Sequence, residues 1–411
     1  MNDVLVIGAG AAGIMAALAA KEAGARVTVF EKNDIVGKKM GITGKGRCNL
    51  TNACPIEDFI AHTPGHGKFL FSPYQQFTNE DLLAKLHAWG LETKVERGGR
   101  VFPVSDSAIE VRKFFYRLLR HQGIDLHLEE PVQAVKGWGD TFIVQTTEGR
   151  YEGNRCILAT GGMTYPSTGS TGDGYEFAKS FGHTVTALKP SLVPFVTKET
   201  WPTTLSGMTL RHVEASLWKA GKQIASEFGD LQCMPFGVSG PIILRLSSVM
   251  AHQKKYTFPL QLRINIKPAL TKAKLEQRLQ RDFQTYIRQS AAVGMKDLLP
   301  QKLIPVVLEA AGIEGQMPLN QVTKEQRQDL VDTLQALCLT VTGTRPLAEG
   351  IVTAGGIHIK EVNPKTMESK LVRHLYIAGE VLDVDAFTGG YNLQAAFSTG
   401  YVAGKAAAEE E

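Results

Sequence analysis

The sequence predicts an α/β fold in which a domain built on a parallel sheet is interrupted by an inserted domain. Three apolar runs, residues 4–7, 27–30 and 156–159, each lead toward glycines or an acidic residue. Strands that are buried on both faces of a sheet read as continuous apolar runs of this kind. Short strand-like runs broken by prolines and glycines fill the middle of the chain, and a small-residue helix at 395–408 follows near the C-terminus. The two ends of the chain are therefore expected to form one domain.

The turn after the first apolar run, residues 8–13, reads G-A-G-A-A-G. Gly8 allows a tight turn, Gly10 leaves room for a pyrophosphate, and Gly13 lets the following helix, 11–23, pack closely on the sheet. The free N–H groups and the positive dipole end of that helix would face the phosphates. Glu31 ends the second strand, where its carboxylate can accept hydrogen bonds from both ribose hydroxyls. This unit predicts a Rossmann-type site for the ADP half of FAD or NAD.

Composition excludes several other classes of protein. The 411 residues are 43% hydrophobic and 21% charged, which is ordinary for a globular protein of about two or three domains. No apolar run approaches the roughly 20 residues that cross a bilayer, and the chain enters its first strand without a signal-like segment. The five cysteines form no disulfide framework, and the histidines have no metal-ligand spacing. We expect a cytoplasmic protein with no metal and no membrane segment.

The pattern of apolar runs, prolines and glycines changes near residue 190 and changes back near 345. Residues 1–190 and 345–411 are expected to form the discontinuous nucleotide-binding domain. Residues 191–270 are expected to form an antiparallel sheet or small barrel. Residues 271–344 are predicted to be mainly helical, with a capping box at Thr323. The loop 36–49, rich in glycine and lysine, is predicted to lie outside the core.

One stretch of the insertion is strongly basic. Residues 251–302 contain 11 lysines or arginines and three acids, a net charge of +8. Such a run is usually a solvated helical face. The alternative is an electrostatic surface for a polyanion such as RNA. Charge alone leaves both interpretations open.

The C-terminal segment favours FAD. Residues 375–380 form a strand that ends in Gly379 and Glu380, and T-G-G-Y-N-L-Q at 388–394 precedes the last helix. In FAD proteins of the glutathione-reductase type, such a Gly-acid pair lies against the ribitol and pyrophosphate. The next helix then points its N-terminus at the N1–C2=O edge of the flavin, where the reduced ring carries negative charge. The predicted fold is a glutathione-reductase-like FAD-binding domain with an inserted β domain and a helical segment.

Four segments resemble the BaiN/RdsA (YhiN/YtfP-type) family of NAD(P)/FAD-dependent oxidoreductases. They are G-K-G-R-C-N-L-T-N at 44–52, A-T-G-G at 159–162, Y-P-S-T-G-S-T-G-D-G at 165–174, and the A-G-E…T-G-G-Y-N-L-Q run at 378–394. Lys45 departs from the pattern, because many members have a third glycine there. The resemblance implies FAD held between the two ends of the chain, with the insertion covering the flavin. No second G-x-G-x-x-G motif followed by a helix and an acid is present, so an NAD(P)H donor would dock only transiently.

The glycine turns and the resemblance together give the candidate site. The residues expected to bind the cofactor are Gly8, Gly10, Ala11, Ala12, Gly13, Glu31, Lys32, Lys39, Thr43, Gly44, Arg47, Cys48, Val132, Thr160, Gly161, Gly162, Gly379, Glu380, Asp385, Gly390, Tyr391, Asn392 and Leu393. Cys48 and Tyr391 are also the candidate catalytic residues. Cys48 is either a proton donor opposite the hydride or an ordinary buried thiol.

Three kinds of function are compatible with such a flavoprotein. The resemblance implies NAD(P)H-driven reduction of an activated C=C bond, either in a uridine of large-subunit ribosomal RNA or in a small enone. It also implies oxidation of a small amine by oxygen, although no aromatic cage for an ammonium group is evident. A flavin-stabilised RNA-binding protein is the non-enzymatic alternative. The basic stretch 251–302 favours the RNA reductase, whereas the cations Lys38, Lys39, Lys45 and Arg47 either attract RNA or neutralise the pyrophosphate. The oligomeric state is left open.

Overall fold

The computed structural model describes residues 1–253 and 255–409, so Lys254 of the basic stretch and the last two residues lie outside the described part of the chain. The chain divides into two compact units. The first unit consists of Met1–Ser191 and Pro346–Glu411, and the second is Leu192–Arg345. Each boundary between the two units lies one residue from a domain boundary that the sequence predicts.

The elements follow one another in three blocks. The first unit begins with β1 (Asp3–Ile7), α1 (Ala11–Glu22), β2 (Arg26–Phe30), β3 (Thr51–Asn52), α2 (Ile56–Ala61), α3 (Phe71–Gln76), α4 (Asn79–Ala88), β4 (Thr93–Val95), β5 (Arg100–Pro103), α5 (Ala108–His121), β6 (Asp125–His127), β7 (Val132–Trp138), β8 (Thr141–Thr146), β9 (Arg150–Gly153), β10 (Arg155–Leu158), α6 (Asp173–Ser180) and β11 (Lys189–Ser191). The second unit contains β12 (Phe195–Thr197), α7 (Trp201–Thr204), β13 (Thr209–Lys219), β14 (Lys222–Met234), β15 (Gly237–Ser239), α8 (Pro241–Ala251), β16 (Leu260–Asn265), α9 (Lys272–Thr285), α10 (Ala291–Gly294), α11 (Ile304–Ala310), α12 (Lys324–Gln335) and β17 (Leu337–Thr344). The first unit then resumes with β18 (Val352–Ala354), β19 (Leu375–Ile377) and α13 (Tyr391–Ala408).

A five-stranded parallel sheet in the order β19-β10-β1-β2-β6 forms the centre of the first unit. Ile7 lies opposite Leu158 on one side and Phe30 on the other, and Leu158 lies opposite Ile377. All four side chains are buried, as expected for a parallel sheet with both faces covered. Because β19 follows the insertion, strands from both ends of the chain lie in one sheet.

Three smaller sheets complete the first unit, with the orders β3-β5-β4, β7-β8-β9 and β11-β18. The antiparallel hairpin of β7 and β8 carries Val132 at its first position. Strands β11 and β18 pair antiparallel, Ser191 opposite Val352. The chain therefore leaves the first unit from one strand of this pair and returns at its neighbour.

The second unit is built on a closed barrel with the strand order β12-β15-β14-β13-β16-β17. The sequence left a sheet and a barrel open, and the barrel is formed. Strand β17 follows the helices and pairs with both β16 and β12, so the predicted helical stretch ends in the strand that closes the barrel. The capping box at Thr323 is confirmed, because its side chain accepts from the Gln326 N–H at 3.1 Å and Gln326 Oε1 accepts from the Thr323 N–H at 3.0 Å.

The loop 36–49 is a point where the sequence prediction was wrong. Met40 and Cys48 are buried, with 2% and 0% of their surfaces exposed. A 3-10 segment, Met40–Gly46, folds this stretch over the first unit. The high glycine content of the loop predicted exposure, but a chain that turns sharply at glycines can still bury single apolar side chains between the turns. The last helix also begins earlier than predicted, at Tyr391.

Helices α1 and α13 pack backbone to backbone. A Cβ atom added to Gly400 would lie 2.2 Å from the carbonyl oxygen of Ala12, and one added to Gly404 would lie 2.1 Å from that of Ala16. The two glycines therefore set how closely the C-terminal helix approaches the helix of the first glycine turn. Within the described residues, no helix is long and apolar enough to cross a membrane.

We expect Gly404→Ala to lower the melting temperature of the protein. The new methyl group meets a backbone atom, so the helices must separate, at a cost of about 1–3 kcal/mol. This exceeds the gain of about 1 kcal/mol from the better helix propensity of alanine. Differential scanning calorimetry measures the change. Gly343→Ala is the control, because no atom lies within 4 Å of its added Cβ. Equal melting temperatures for both variants would contradict close packing at Gly404.

Candidate cofactor and active site

The predicted site residues of the first unit come together where its parallel strands end. The N–H of Ala159 donates to the carbonyl of Ile7 at 2.9 Å, and the N–H of Ala378 donates to that of Leu158 at 3.0 Å. The segments that follow β1, β10 and β19 therefore start side by side at the carboxyl edge of the sheet. This edge is where open α/β sheets bind nucleotides.

The three glycines of the first turn have different surroundings. Gly8 has φ +99°, and its Cβ would lie 2.6 Å from the carbonyl oxygen of Ala159. A Cβ on Gly13 would lie 1.8 Å from the carbonyl oxygen of Gly8. In contrast, a Cβ on Gly10 would meet nothing within 4 Å. Packing requires the outer two glycines, and the middle one leaves open space beside the N-terminus of α1.

Glu31 is fixed by hydrogen bonds to the same turn. Its Oε2 accepts from the N–H of Ala9 at 2.9 Å. Its Oε1 accepts from the N–H and the Nδ2 of Asn33, at 2.9 and 2.6 Å. The carboxylate is thus held at the end of β2 with only 8% of the residue exposed. Lys32, the next residue, turns to a different partner and forms an ion pair with Asp173.

Glu380 forms the second anchored carboxylate. The Nζ of Lys39 lies 2.8 Å from its Oε2 and also donates to Thr164 Oγ1 at 2.9 Å. The N–H of Thr353 donates to Glu380 Oε1 at 3.0 Å. Gly162 fits against this group, because its Cβ would lie 2.4 Å from Thr353 Oγ1. A side chain at position 162 would therefore displace the network.

Two asparagines of the N-terminal half hold the glycine pair before α13. The Nδ2 of Asn52 donates to the carbonyl of Gly389 at 3.0 Å. With its amide oriented to satisfy its neighbours, Asn49 accepts from the N–H of Gly390 at 3.0 Å. Gly390 has φ +98°, and its Cβ would lie 2.2 Å from the carbonyl oxygen of Thr51. The R-C-N-L-T-N and G-G-Y-N motifs are therefore joined by direct hydrogen bonds.

The first turn of α13 contains three predicted site residues, Tyr391, Asn392 and Leu393. Asn392 caps the loop before it, since its Nδ2 donates to the carbonyl of Ala386 at 2.7 Å and its Oδ1 accepts from the Ala386 N–H at 2.8 Å. The ring of Tyr391 stacks on His62 with centroids 4.5 Å apart. Burial raises the pKa of the Tyr391 hydroxyl, which also lies next to Cys54 and Asp58. The phenol is therefore protonated at neutral pH.

Cys48 is fully buried and lies in a left-handed conformation, with φ +64°. Its N–H donates to the carbonyl of Thr43 at 3.1 Å. Burial raises the pKa of its thiol to about 12, against a smaller opposing effect of a hydrogen bond with Thr43. Gly44, Lys45 and Gly46 also have positive φ, a backbone conformation that favours glycine. The thiol is neutral at physiological pH and is not a nucleophile.

Arg47 and Asp385, which the sequence predicts to bind the cofactor, form hydrogen bonds within the protein. The Arg47 guanidinium contacts Glu96 at 2.8 and 3.2 Å and lies 4.0 Å from the centre of the Phe102 ring. Asp385 is buried and accepts from Ser191 Oγ at 2.6 Å. Val132 lies at the start of β7. Arg47 is therefore largely neutralised by acids of this unit.

Arg112, which was not among the predicted site residues, lies against the loop 36–49. Its side chain packs on Gly41, 3.1 Å from where a Cβ would lie, and its buried Nε has no hydrogen-bond partner. Arg112 lies on the apolar stripe of α5 with Ala108, Phe115 and Leu119. A cation on a core-facing stripe is the signal that could have revealed it.

The described residues fit a bound dinucleotide. Thr160 Oγ1, immediately after β10, is buried without a hydrogen-bond partner. It lies beside the glycine turn, where a Cβ on Gly8 would be 3.2 Å from the Thr160 Cα. The open space at Gly10, the helix N-terminus and the anchored Glu31 are the parts that a pyrophosphate and a ribose require. Over residues 1–253 and 255–409, no group of three or more His, Cys, Asp or Glu side chains is arranged to hold a metal ion.

Comparison with known proteins identifies relatives of the same length. The family described as HI0933-like protein Rossmann domain matches residues 2–406. A 3-dehydro-bile acid delta(4,6)-reductase of Clostridium scindens is 34% identical over 417 residues, with 100% of both chains covered. A ribosomal RNA dihydrouridine synthase of Haemophilus influenzae is 30% identical over 411 residues, with 97% of each chain covered.

Solved structures share the fold at low identity. The open conformation of a flavocytochrome c3 fumarate reductase has a TM-score of 0.52 at 20% identity, covering 99% of this chain and 78% of that one. A 3-ketosteroid delta1-dehydrogenase from Sterolibacterium denitrificans has a TM-score of 0.50 at 12% identity, covering 99% and 100%. The predicted fold class is thereby confirmed. The chain belongs to the HI0933-like Rossmann family, as its motifs predicted, and it is an oxidoreductase built on the FAD-binding type of Rossmann fold.

Proposed function

We propose that this protein is an FAD-dependent, NAD(P)H-driven reductase of an activated C=C bond, and that its substrate is a uridine of large-subunit ribosomal RNA. One observation carries the reaction type. Two relatives that match over their full length are named for different substrates, yet both names describe saturation of a double bond conjugated to a carbonyl group. Reduction of such a bond is the shared chemistry, and the substrate is the part that varies.

In this proposal, different residues of the first unit bind different parts of FAD. Gly10 and the N-terminus of α1 hold the pyrophosphate, and Glu31 holds the adenosine ribose. Lys39 and Glu380 lie along the ribitol, and the Gly389–Gly390 turn points the N–H groups of α13 at the flavin. FAD, when bound, supplies hydride transfer through its N5 atom. The helix dipole of α13 stabilises negative charge at the ring edge nearest to it.

The protein must also supply one proton for each double bond that is reduced. Cys48 and Tyr391 are our candidates, because burial keeps both groups protonated at neutral pH. Each lies in a segment that we assign to the flavin, Cys48 beside the Gly44 turn and Tyr391 at the first position of α13. A neutral acid that is held out of water donates its proton only when a more basic carbon or oxygen develops next to it.

Ribosomal RNA is the favoured substrate for a reason of charge. Residues 251–302 carry a net charge of +8, which suits a polyanion better than an uncharged enone. Action on ribosomal RNA would place the protein in the cytoplasm. The runner-up is a small enone, favoured by the 34% identity to the bile acid reductase.

Gly10→Glu is expected to give a folded, colourless protein. A Cβ at this position would have no protein atom within 4 Å, so the fold tolerates a side chain here, but a carboxylate would then occupy the pyrophosphate position. The ratio of flavin to protein absorbance and the circular dichroism melting curve measure the two effects separately. Gly343→Ala is the control that retains its flavin. A yellow Gly10→Glu protein with one flavin per chain would refute the assigned site.

Tyr391→Phe and Cys48→Ala separate the proton donor from structural residues. We expect the true donor's variant to keep bound FAD and to bleach at the wild-type rate with NAD(P)H under anaerobic conditions. Its reduced form should then transfer hydride to substrate at least about tenfold more slowly, as is typical for the loss of a general acid. Stopped-flow absorbance follows both half-reactions. Wild-type rates in both variants would leave neither residue with a catalytic role.

Dihydrouridine mapping of ribosomal RNA tests the substrate. Cells that lack this protein should lose one modified position in the large subunit, and the wild-type chain should restore it. The Gly10→Glu chain should fail to restore it at equal expression. An unchanged map in the deletion strain would exclude the RNA substrate, and anaerobic reoxidation of the reduced flavin by steroid enones would then test the runner-up.

A further inference from the structure

Helix α9 of the second unit exposes a face made of cations and amides. Helical periodicity places Leu275, Leu279 and Phe283 on the buried side. The opposite side is lined by Lys274, Gln277, Arg278, Gln280, Arg281 and Gln284, which we call the α9 basic face. All of these side chains are exposed except Arg278, which is half-buried. From Lys274 to Gln284 the face extends about 15 Å, at 1.5 Å per residue.

Within the described residues, only Arg278 of the three cations on the α9 basic face is balanced by a carboxylate, that of Asp282. The two acids of the helix point elsewhere or are already paired: Glu276 lies 3.9 Å from Arg327, and Asp282 contacts Arg278 at 2.7 Å. In the described part of the chain, neither Lys274 nor Arg281 forms an ion pair. A solvated helix face usually mixes both signs of charge. This face therefore keeps a net positive potential.

Three other cations of the basic stretch have structural contacts. The Arg263 guanidinium lies 4.1 Å from the centre of the Trp218 ring, and Lys296 lies 4.5 Å from that of Tyr286. Lys272 pairs with Asp332 at 2.5 Å. Burial and the nearby charge of Arg278 both lower the pKa of Lys267. Lys274 and Arg281 on α9 therefore keep charge that is available to a partner, together with the exposed Lys255, Arg288 and Lys302 of the same stretch.

We propose that the α9 basic face binds RNA, with Lys274 and Arg281 contacting phosphates and Gln277 and Gln284 contacting ribose hydroxyls or base edges. Phosphate contacts by exposed cations supply most of the affinity for nucleic acid. Amide side chains both donate and accept, which suits 2′-hydroxyls and bases. A membrane surface fits less well, because an interfacial helix needs large apolar side chains that face the lipid. The inference rests on the proposed function, since it takes the bound RNA to be the substrate.

The double variant Lys274→Gln/Arg281→Gln tests this face in the full-length, FAD-loaded protein. The probe is deproteinised large-subunit ribosomal RNA, and filter binding gives the dissociation constant from 50 to 300 mM salt. Loss of two phosphate contacts should reduce the slope of log K against log salt by about 1.4–1.8. The matched control is Arg117→Gln/Arg120→Gln, which removes two exposed cations from α5 of the other unit. Its slope should equal that of the wild type.

The outcomes separate this inference from the proposed function. A reduced slope in the α9 variant alone, with unchanged flavin content and unchanged bleaching by NAD(P)H, supports the RNA-binding face. Equal slopes for wild type, variant and control overturn it, as does a loss of binding to phosphatidylglycerol vesicles with RNA binding intact. If the α9 variant loses RNA binding but the dihydrouridine map of the deletion strain is unchanged, the face stands and the proposed reaction falls.

Discussion

The close packing of α1 against α13 is the contact on which the candidate site depends. These helices come from opposite ends of the chain, and Gly400 and Gly404 bring one against backbone carbonyls of the other. The same union appears in the sheet, where β19 from the C-terminal segment pairs with β10. Neither the glycine turn after β1 nor the Gly389–Gly390 turn can form a site alone. The insertion leaves and re-enters at the neighbouring strands β11 and β18, so that this union is preserved.

The site is shaped mainly by backbone that side chains hold in place. Asn49 and Asn52 bind the backbone of Gly390 and Gly389, and Asn392 closes the loop in front of α13. Glu31 accepts a hydrogen bond from the N–H of Ala9 in the first glycine turn. Such fixed amides and helix ends act on a ligand without having to reorganise. This arrangement accounts for the asparagines and glycines of the R-C-N-L-T-N and G-G-Y-N motifs.

The sequence predicted the elements that depend on local residue patterns. It did not predict the features that depend on packing between residues distant in sequence. The parallel strands and the cap at Thr323 follow from apolar pattern and turn chemistry. The burial of Met40, the choice of a closed barrel over an open sheet and the position of Arg112 against Gly41 do not, because each depends on residues distant in sequence. At the site, motifs predicted which residues gather at the sheet edge. They did not predict that Arg47 would bind Glu96.

That last difference bears on where a polyanion can be attracted. Near the glycine turns, Lys32 pairs with Asp173, Lys39 with Glu380 and Arg47 with Glu96. Cations that are paired within about 4 Å of a carboxylate contribute little field at a distance, because two opposite charges leave only a dipole and salt screens the remainder beyond a Debye length of about 8–10 Å. A count of lysines and arginines in the loop 36–49 therefore overstates its attraction for RNA. On the α9 basic face, Arg278 is paired with Asp282, whereas Lys274 and Arg281 are not paired with any acid that the structure describes. It is such uncompensated charge, rather than the number of basic residues, that steers a nucleic acid to a surface.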